Sequence, residues 1–226
     1  MNRPLAIWDI DGTLIDSRFM INAAMERAFM SCELTPPSYE QTRKIVGLSL
    51  EVAIDRLAPR DIGEHGLTTL IEAYKTEFVA LRQGGQELEQ LYAGMAEIIN
   101  TLKSEGWALG IATGKSRRGL EAIMAREGWG DIFDANYCAS DGPGKPHPYM
   151  IEANLNATGT PPQNAVVIGD TSFDMAMAKA AGCAAFGVSW GFHTEAEIRG
   201  GGADSMFNDA EMLSASLLDF AKSKAA

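Results

Sequence analysis

Four short strings hold the residues that could do chemistry. The first is Asp9-Ile10-Asp11-Gly12-Thr13-Leu14, at the end of the apolar run Leu5–Ile10. Carboxylates at i and i+2 share one face of a strand, and Gly12 lets the chain turn, so both can reach one ligand. One could attack phosphorus while the other manages protons; the residues alone do not divide these roles. The second string is Ile111-Ala112-Thr113-Gly114-Lys115. A hydroxyl at a strand end followed by glycine offers Oγ and backbone N–H groups to a phosphate, and Lys115 reads as a surface or rim residue. The third is Gly144-Lys145-Pro146-His147-Pro148. A lysine between Gly and Pro has little backbone freedom and can be aimed inward as a fixed charge; His147 reads as a helix-start residue. The fourth is Val166-Val167-Ile168-Gly169-Asp170-Thr171-Ser172-Phe173-Asp174. It sets one carboxylate at a strand end and a second a helical turn later, facing the same spot. Hard oxygens of this kind suit Mg²⁺.

Each string also has a plain reading. Asp9 and Asp11 could be a solvated turn, Thr113 part of a helix-capping turn and Lys145 an exposed loop residue. Asp170 could be a helix N-cap, with Asp174 in water. All four strings also stand at or near the ends of elements that could bring them into one crevice.

Those elements are short apolar runs bounded by turn residues: Leu5–Ile10, Ala108–Ala112, Asn136–Ala139, Ala165–Ile168 and Ala184–Val188. Such runs read as buried strands. Helical patterns lie between them, at Leu91–Lys103, Ser116–Arg126, Pro148–Asn156 and Phe173–Ala181. Strand and helix in alternation predict an α/β fold with a parallel sheet, helices on both faces and ligands at the carboxyl strand ends. Residues 18–86 break the alternation. They carry helical segments at Phe19–Met30, Tyr39–Ile45, Leu50–Leu57 and Glu64–Arg82, and no strand signal. The division predicted is a Rossmann-like core over 1–16 and 88–226, with an all-helical cap over 17–87 that acts as a lid. Gly84-Gly85 is its expected return hinge.

With these residues in view, Asp9-x-Asp11-Gly12-Thr13-Leu14-x-Asp16-Ser17 resembles the first motif of the haloacid dehalogenase superfamily. Thr113 matches its second motif, Gly144-Lys145-Pro146 its third and Gly169-Asp170 its acidic fourth. The resemblance implies that Asp9 is the nucleophile that becomes phosphorylated and Asp11 the general acid and base. It implies that Thr113, Gly114 and Lys145 hold the phosphoryl group. It further implies a Mg²⁺ ion on Asp9, Asp170 and the main-chain carbonyl of Asp11, with Asp174 steadying a metal-bound water or Lys145. Dehalogenases of the superfamily lack an acid at the position of Asp11. The phosphonatase branch needs a cap lysine, and Lys44 and Lys75 are not placed for that role.

Ile45-Val46-Gly47-Leu48-Ser49-Leu50 resembles the cap specificity loop of the helical-cap subfamily, so Gly47, Leu48 and Ser49 are candidate substrate contacts. Val46 and Leu50 stand where β-phosphoglucomutases carry basic residues, which disfavours the mutase alternative. A non-catalytic member that binds a phosphorylated ligand is the alternative from another class. Gly187 to His193 looks most like phosphoglycolate-phosphatase-type members and is given no site. The resemblance thus implies a phosphatase acting on a small phosphorylated metabolite, with phosphoglycolate as one candidate.

Composition sets the partners. The chain of 226 residues has 30 acidic and 19 basic side chains, for a net charge of −11. Such a surface repels nucleic-acid backbones and anionic membranes, while a metal and a lysine can reverse the field inside a pocket. Cys32, Cys138 and Cys183 are far apart and form no paired motif, as in a reducing compartment. The first apolar run is too short for a signal peptide. A cytoplasmic location is expected.

Overall fold

A computed structural model describes residues 3–84 and 89–225. Six strands form one parallel sheet: β1 (Leu5–Trp8), β4 (Ala108–Thr113), β5 (Ala135–Cys138), β6 (Ala165–Gly169), β7 (Ala184–Val188) and β8 (Ser205–Phe207), in the order β5-β4-β1-β6-β7-β8. Five of them coincide, within a residue or two, with the apolar runs. β8 has no such run, because its three residues are too few to show a pattern. The strand β1 lies in the middle and alternates in the expected way. Leu5 and Ile7 enter an apolar cluster with Met150, Ile151 and Met175; Ala6 and Trp8 enter another with Ile98, Leu120 and Leu213. Both faces are therefore buried, as a parallel sheet requires.

The covering helices are α5 (Met95–Ser104), α6 (Arg117–Glu127), α7 (Tyr149–Thr158), α8 (Ser172–Ala180), α9 (Glu195–Gly200) and α10 (Ala210–Ala225). α5 starts four residues later than the pattern predicts, because Gly94 adopts a left-handed conformation (φ 83°) at its N-cap. The Ser116 side chain caps α6 by accepting from the Gly119 N–H at 3.2 Å.

The segment between β1 and α5 is helical: α1 (Arg18–Ser31), α2 (Tyr39–Arg43), α3 (Leu50–Leu57) and α4 (Gly63–Gln83). α1 and α4 pack along each other around Met20, Ala24, Met25, Leu70 and Tyr74. α2 stops at Arg43, two residues short of the predicted end. Where this segment joins the sheet, β2 (Ile15–Asp16) and β3 (Gln90–Leu91) pair antiparallel, Ile15 with Leu91 and Asp16 with Gln90. The sequence pattern did not foretell this ribbon, because two-residue strands carry no periodicity. Gly84 caps α4 at φ −68°, a conformation open to any residue; Gly85, the other half of the expected hinge, lies outside the described residues.

The helical segment sits down on the sheet. Phe192, from the loop after β7, is buried among the apolar side chains of α1, α3 and α4. Arg43 reaches from α2 to Glu197 of α9 at 2.8 Å and to the Phe192 carbonyl at 3.2 Å. No helix among the described residues is long and apolar enough to cross a membrane.

Candidate active site

The four strings meet at the carboxyl ends of β4, β1 and β6, three neighbouring strands. Asp9 follows β1 and donates its backbone N–H to the Ile168 carbonyl of β6 at 3.0 Å. Thr113 ends β4 and is fully buried. Asp170 follows β6, and Asp174 lies in the first turn of α8. Lys145, on the loop between β5 and α7, is buried and places Nζ 2.6 Å from Asp9 Oδ1 and 2.6 Å from Asp174 Oδ1. Its peptide bond to Pro146 is cis.

The plain reading of the fourth string does not hold here. Thr171, not Asp170, is the N-cap of α8, and Asp174 completes a capping box with it. Asp174 Oδ2 accepts from Thr171 N–H at 3.1 Å and from Thr171 Oγ1 at 2.6 Å. Both Asp174 oxygens thus have partners, one on Lys145 and one on Thr171. Asp170 Oδ1 accepts from Thr13 Oγ1 at 2.8 Å, and Oδ2 from the Phe192 N–H at 2.8 Å. These bonds leave each Asp170 oxygen a further lone pair.

Gly12 allows this packing. It adopts φ 85°, and a Cβ there would run into the Asp170 carboxylate. Gly191 presses on Asp170 from the other side in the same way. Trp190 Nε1 donates to the Thr13 carbonyl at 3.1 Å and so ties this loop to the first string. The Gly187–His193 segment, given no site from sequence, therefore fixes Asp170 through backbone N–H groups, Phe192 on the carboxylate and His193 on the main-chain carbonyl. Any residue can supply a backbone N–H, so no residue type signals it.

Asp9, Asp170 and Asp174 offer oxygens within 4.8 Å of one another. Three buried carboxylates face one ammonium. Burial pushes the Asp9 carboxyl up to about 7; Lys145 opposes this and Asp174 adds to it. Burial, then Asp9 and Asp174, hold Asp170 well above the ordinary carboxylate range, against the hydrogen bonds from Phe192 and Thr13. Burial alone would lower the Lys145 ammonium, yet Asp174 and Asp9 outweigh it and keep Lys145 above its usual value. The site is short of positive charge. Asp9 Oδ2 is buried with no hydrogen-bond partner. An all-oxygen donor set with an unpartnered carboxylate oxygen fits a small hard dication such as Mg²⁺.

Asp11 lies apart from that cluster, and the Lys115 reading needs correction. Lys115 is not a rim residue. Its side chain is 8% exposed, with Nζ 2.8 Å from Asp11 Oδ1 and 3.5 Å from Glu89 Oε1. Glu89, itself buried, also takes Arg82 of α4 at 2.6 Å. Arg82 and Lys115 both lie over the Phe78 ring, 5.1 and 5.5 Å from its centre. Lys115 is pulled inward by two carboxylates, one of them 26 positions distant in sequence, which a local pattern does not show.

The loop Gly47-Leu48-Ser49 rests on the core between the strings. A Cβ on Gly114 would approach the Leu48 carbonyl to 2.6 Å and the Gly47 carbonyl to 2.7 Å. Gly47 itself, at φ 98°, faces Thr171. Ser49 is the N-cap residue of α3 and stands beside Gly144. Between this loop, α1, α4 and the strand ends lies a cavity of about 760 Å³, with Asp9 and Asp11 in its wall. His147 is exposed and accepts from the Tyr149 N–H at the start of α7.

Comparison with known proteins gives the same grouping. The profile described as "Haloacid dehalogenase-like hydrolase" matches residues 6–188. The chain is 31% identical over 205 residues to the "Probable phosphatase IndB" of Dickeya dadantii, covering 87% of this chain and 86% of that protein. It is 26% identical over 211 residues to a phosphoglycolate phosphatase of Haemophilus influenzae, covering 91% and 94%. In structure it is similar to a hydrolase from Pseudomonas syringae, with TM-score 0.84, 23% identity and 96% and 98% coverage. It is also similar to a β-phosphoglucomutase from Clostridium difficile, with TM-score 0.83, 17% identity and 99% of both chains. At such identities the two structures speak for the fold alone. The parallel sheet, the profile over most of its length and the curated relative together place this chain in the haloacid dehalogenase-like hydrolase family.

Proposed function

We propose that this protein is a Mg²⁺-dependent phosphatase that hydrolyses the phosphate monoester of a small metabolite through an aspartyl phosphate on Asp9. The observation that carries this reading is the buried Asp9, set 2.6 Å from the Lys145 ammonium, with Asp170 beside it and a cavity in front. Relatives named as phosphatases support the reaction class, and phosphoglycolate is the ester some of their names offer.

Phosphoryl transfer is mostly positioning and charge stabilisation. Asp9 attacks phosphorus, and the ester P–O bond breaks as the Asp9 O–P bond forms. Asp11 gives a proton to the departing alcohol oxygen. Water then attacks phosphorus, Asp11 takes its proton, and Asp9 leaves as a carboxylate. Lys145 holds negative charge on the nucleophile and the phosphoryl oxygens, and Thr113 with the Gly114 N–H steadies the remaining oxygen. Asp9, Asp170 and the Asp11 main-chain carbonyl would hold Mg²⁺, while Asp174 keeps Lys145 in place. When bound, the ion neutralises phosphoryl charge and lowers the barrier to attack. The helical segment over residues 17–87 would serve as cap, with Gly47, Leu48 and Ser49 against the leaving group.

The test is phosphate release from p-nitrophenyl phosphate with and without Mg²⁺, for the wild type and Asp9→Asn. Mg²⁺-dependent release by the wild type and none above background from Asp9→Asn is the expected result. Full turnover by Asp9→Asn would sink the mechanism. Tight phosphate binding with no turnover by the wild type would favour a non-catalytic binding protein.

A further inference from the structure

The cavity before Asp9 and Asp11 is where a leaving group would sit, so its size and chemistry bear on the substrate. This inference rests on the phosphatase reading above. The cavity measures about 760 Å³. A water takes about 30 Å³ in the liquid, so a two-carbon hydroxy acid would fill a small fraction of it.

The walls are mostly apolar. Met25, Ile45, Leu48, Tyr74, Phe78 and Val79 form the side supplied by the helical segment. The Tyr74 and Phe78 rings lie 5.8 Å apart at 34°, a tilted aromatic pair. Burying apolar surface against such a wall is favourable, and flat rings meet it best.

Of the cations in the wall, Lys115, Arg82 and Lys75 each have a carboxylate partner. Lys115 is held between Asp11 and Glu89. Arg82 is held by Glu89 at 2.6 Å. Lys75 pairs with Glu72 at 2.8 Å, where both are exposed, and Arg118 is exposed. Among the described lining residues, no buried ammonium or guanidinium is left unpaired to receive a carboxylate from the leaving group. A glycolate carboxylate would have to compete with Asp11 and Glu89 for Lys115 and Arg82.

We propose that the preferred substrate is a phosphate monoester whose alcohol part is uncharged, bulky and ring-bearing, seated against Tyr74 and Phe78, and not a two-carbon hydroxy acid.

The test uses three alkyl esters of similar intrinsic reactivity: 2-phenylethyl phosphate, ethyl phosphate and phosphoglycolate, each with Mg²⁺. The expected kcat/KM for 2-phenylethyl phosphate exceeds that of the other two by about tenfold or more, the discrimination an apolar pocket can supply. In Phe78→Leu, which stays apolar and whose fold is checked by thermal melting, the ratio of 2-phenylethyl to ethyl phosphate should fall several-fold. Equal or better turnover of phosphoglycolate by the wild type overturns the proposal and leaves the phosphatase reading standing. A ratio unchanged in a folded Phe78→Leu overturns the aromatic seat. Absence of Mg²⁺-dependent release from all three esters and from p-nitrophenyl phosphate sinks the phosphatase reading and this inference with it.

Discussion

Metal-free protein should lose stability as pH rises through neutrality, and Asp9 should be a main cause. Burial raises its carboxyl from 3.8 to about 7 in the folded chain. The native state therefore keeps a proton that the unfolded state has lost. The contribution is fully present below the unfolded value and disappears as pH rises through the folded one. At about 1.4 kcal/mol per pH unit the full swing is on the order of 4 kcal/mol, of which roughly 3 falls between about pH 5 and pH 8. For a chain of this length that is a fall in Tm of roughly 5–10 °C. Asp170, also raised, acts in the same direction. His193 acts against it: burial lowers its pKa, so its contribution is lost as pH falls below the ordinary value near 6.5. The assay is therefore a difference. Thermal melts of wild type and Asp9→Asn, both in chelator, are compared at about pH 5 and pH 8; His193 is common to both and cancels. The wild type should lose several degrees more than the variant. Mg²⁺ at about a hundred times its Kd should then restore about 2.7 kcal/mol to the wild type at the higher pH. Parallel melting of the two proteins without metal would refute the argument that burial perturbs Asp9.

Three further outcomes are expected. Asp170→Asn should shift the Mg²⁺ activation curve to higher concentration while the fold is retained, since a neutral amide replaces one hard anionic ligand; an unchanged curve would remove Asp170 from the metal site. Leu48→Arg should change the ranking among phosphate esters yet spare Mg²⁺ dependence, and equal losses on every ester would make the loop purely structural. Gly12→Ala should destabilise the protein by about 1–3 kcal/mol, through its positive φ and the contact with Asp170; a melting temperature equal to the wild type's would contradict the close approach.

The legible part of this protein is the part written locally. Asp9, Thr113, Lys145 and Asp170 each follow an apolar run or sit between Gly and Pro, and the alternation of strand and helix says that those ends gather. The illegible part depends on partners far away in sequence. Lys115 looks like any lysine after a Thr-Gly turn until Glu89 and Asp11 are seen on either side of it. Phe192 reaches Asp170 through a main-chain N–H, so its side chain carries no sign of the contact. Helical spacing turns Asp174 toward the same spot as Asp170, but the capping box that occupies one of its oxygens is not legible, because Thr171-x-x-Asp174 lacks the Glu or Gln that marks such a box. Edge elements escaped for a simpler reason: β8, β2 and β3 are too short to show a period.

The position of β1 has a consequence for how the protein is made. Leu5 pairs with Ala108 on one side and with Ala165 on the other. Contacts between such distant residues form late, since closing the long loops between them costs chain entropy before any pairing repays it. The contacts of α1 with α4 span a much shorter stretch of chain. A growing polypeptide can thus fold its helical segment early, while Asp9 still lacks both neighbouring strands. Asp170 reaches Asp9 only after β6 has been synthesised and has docked on β1. A chain interrupted before that point carries Asp9 without its carboxylate neighbours Asp170 and Asp174, so an incomplete product of translation lacks the acidic cluster.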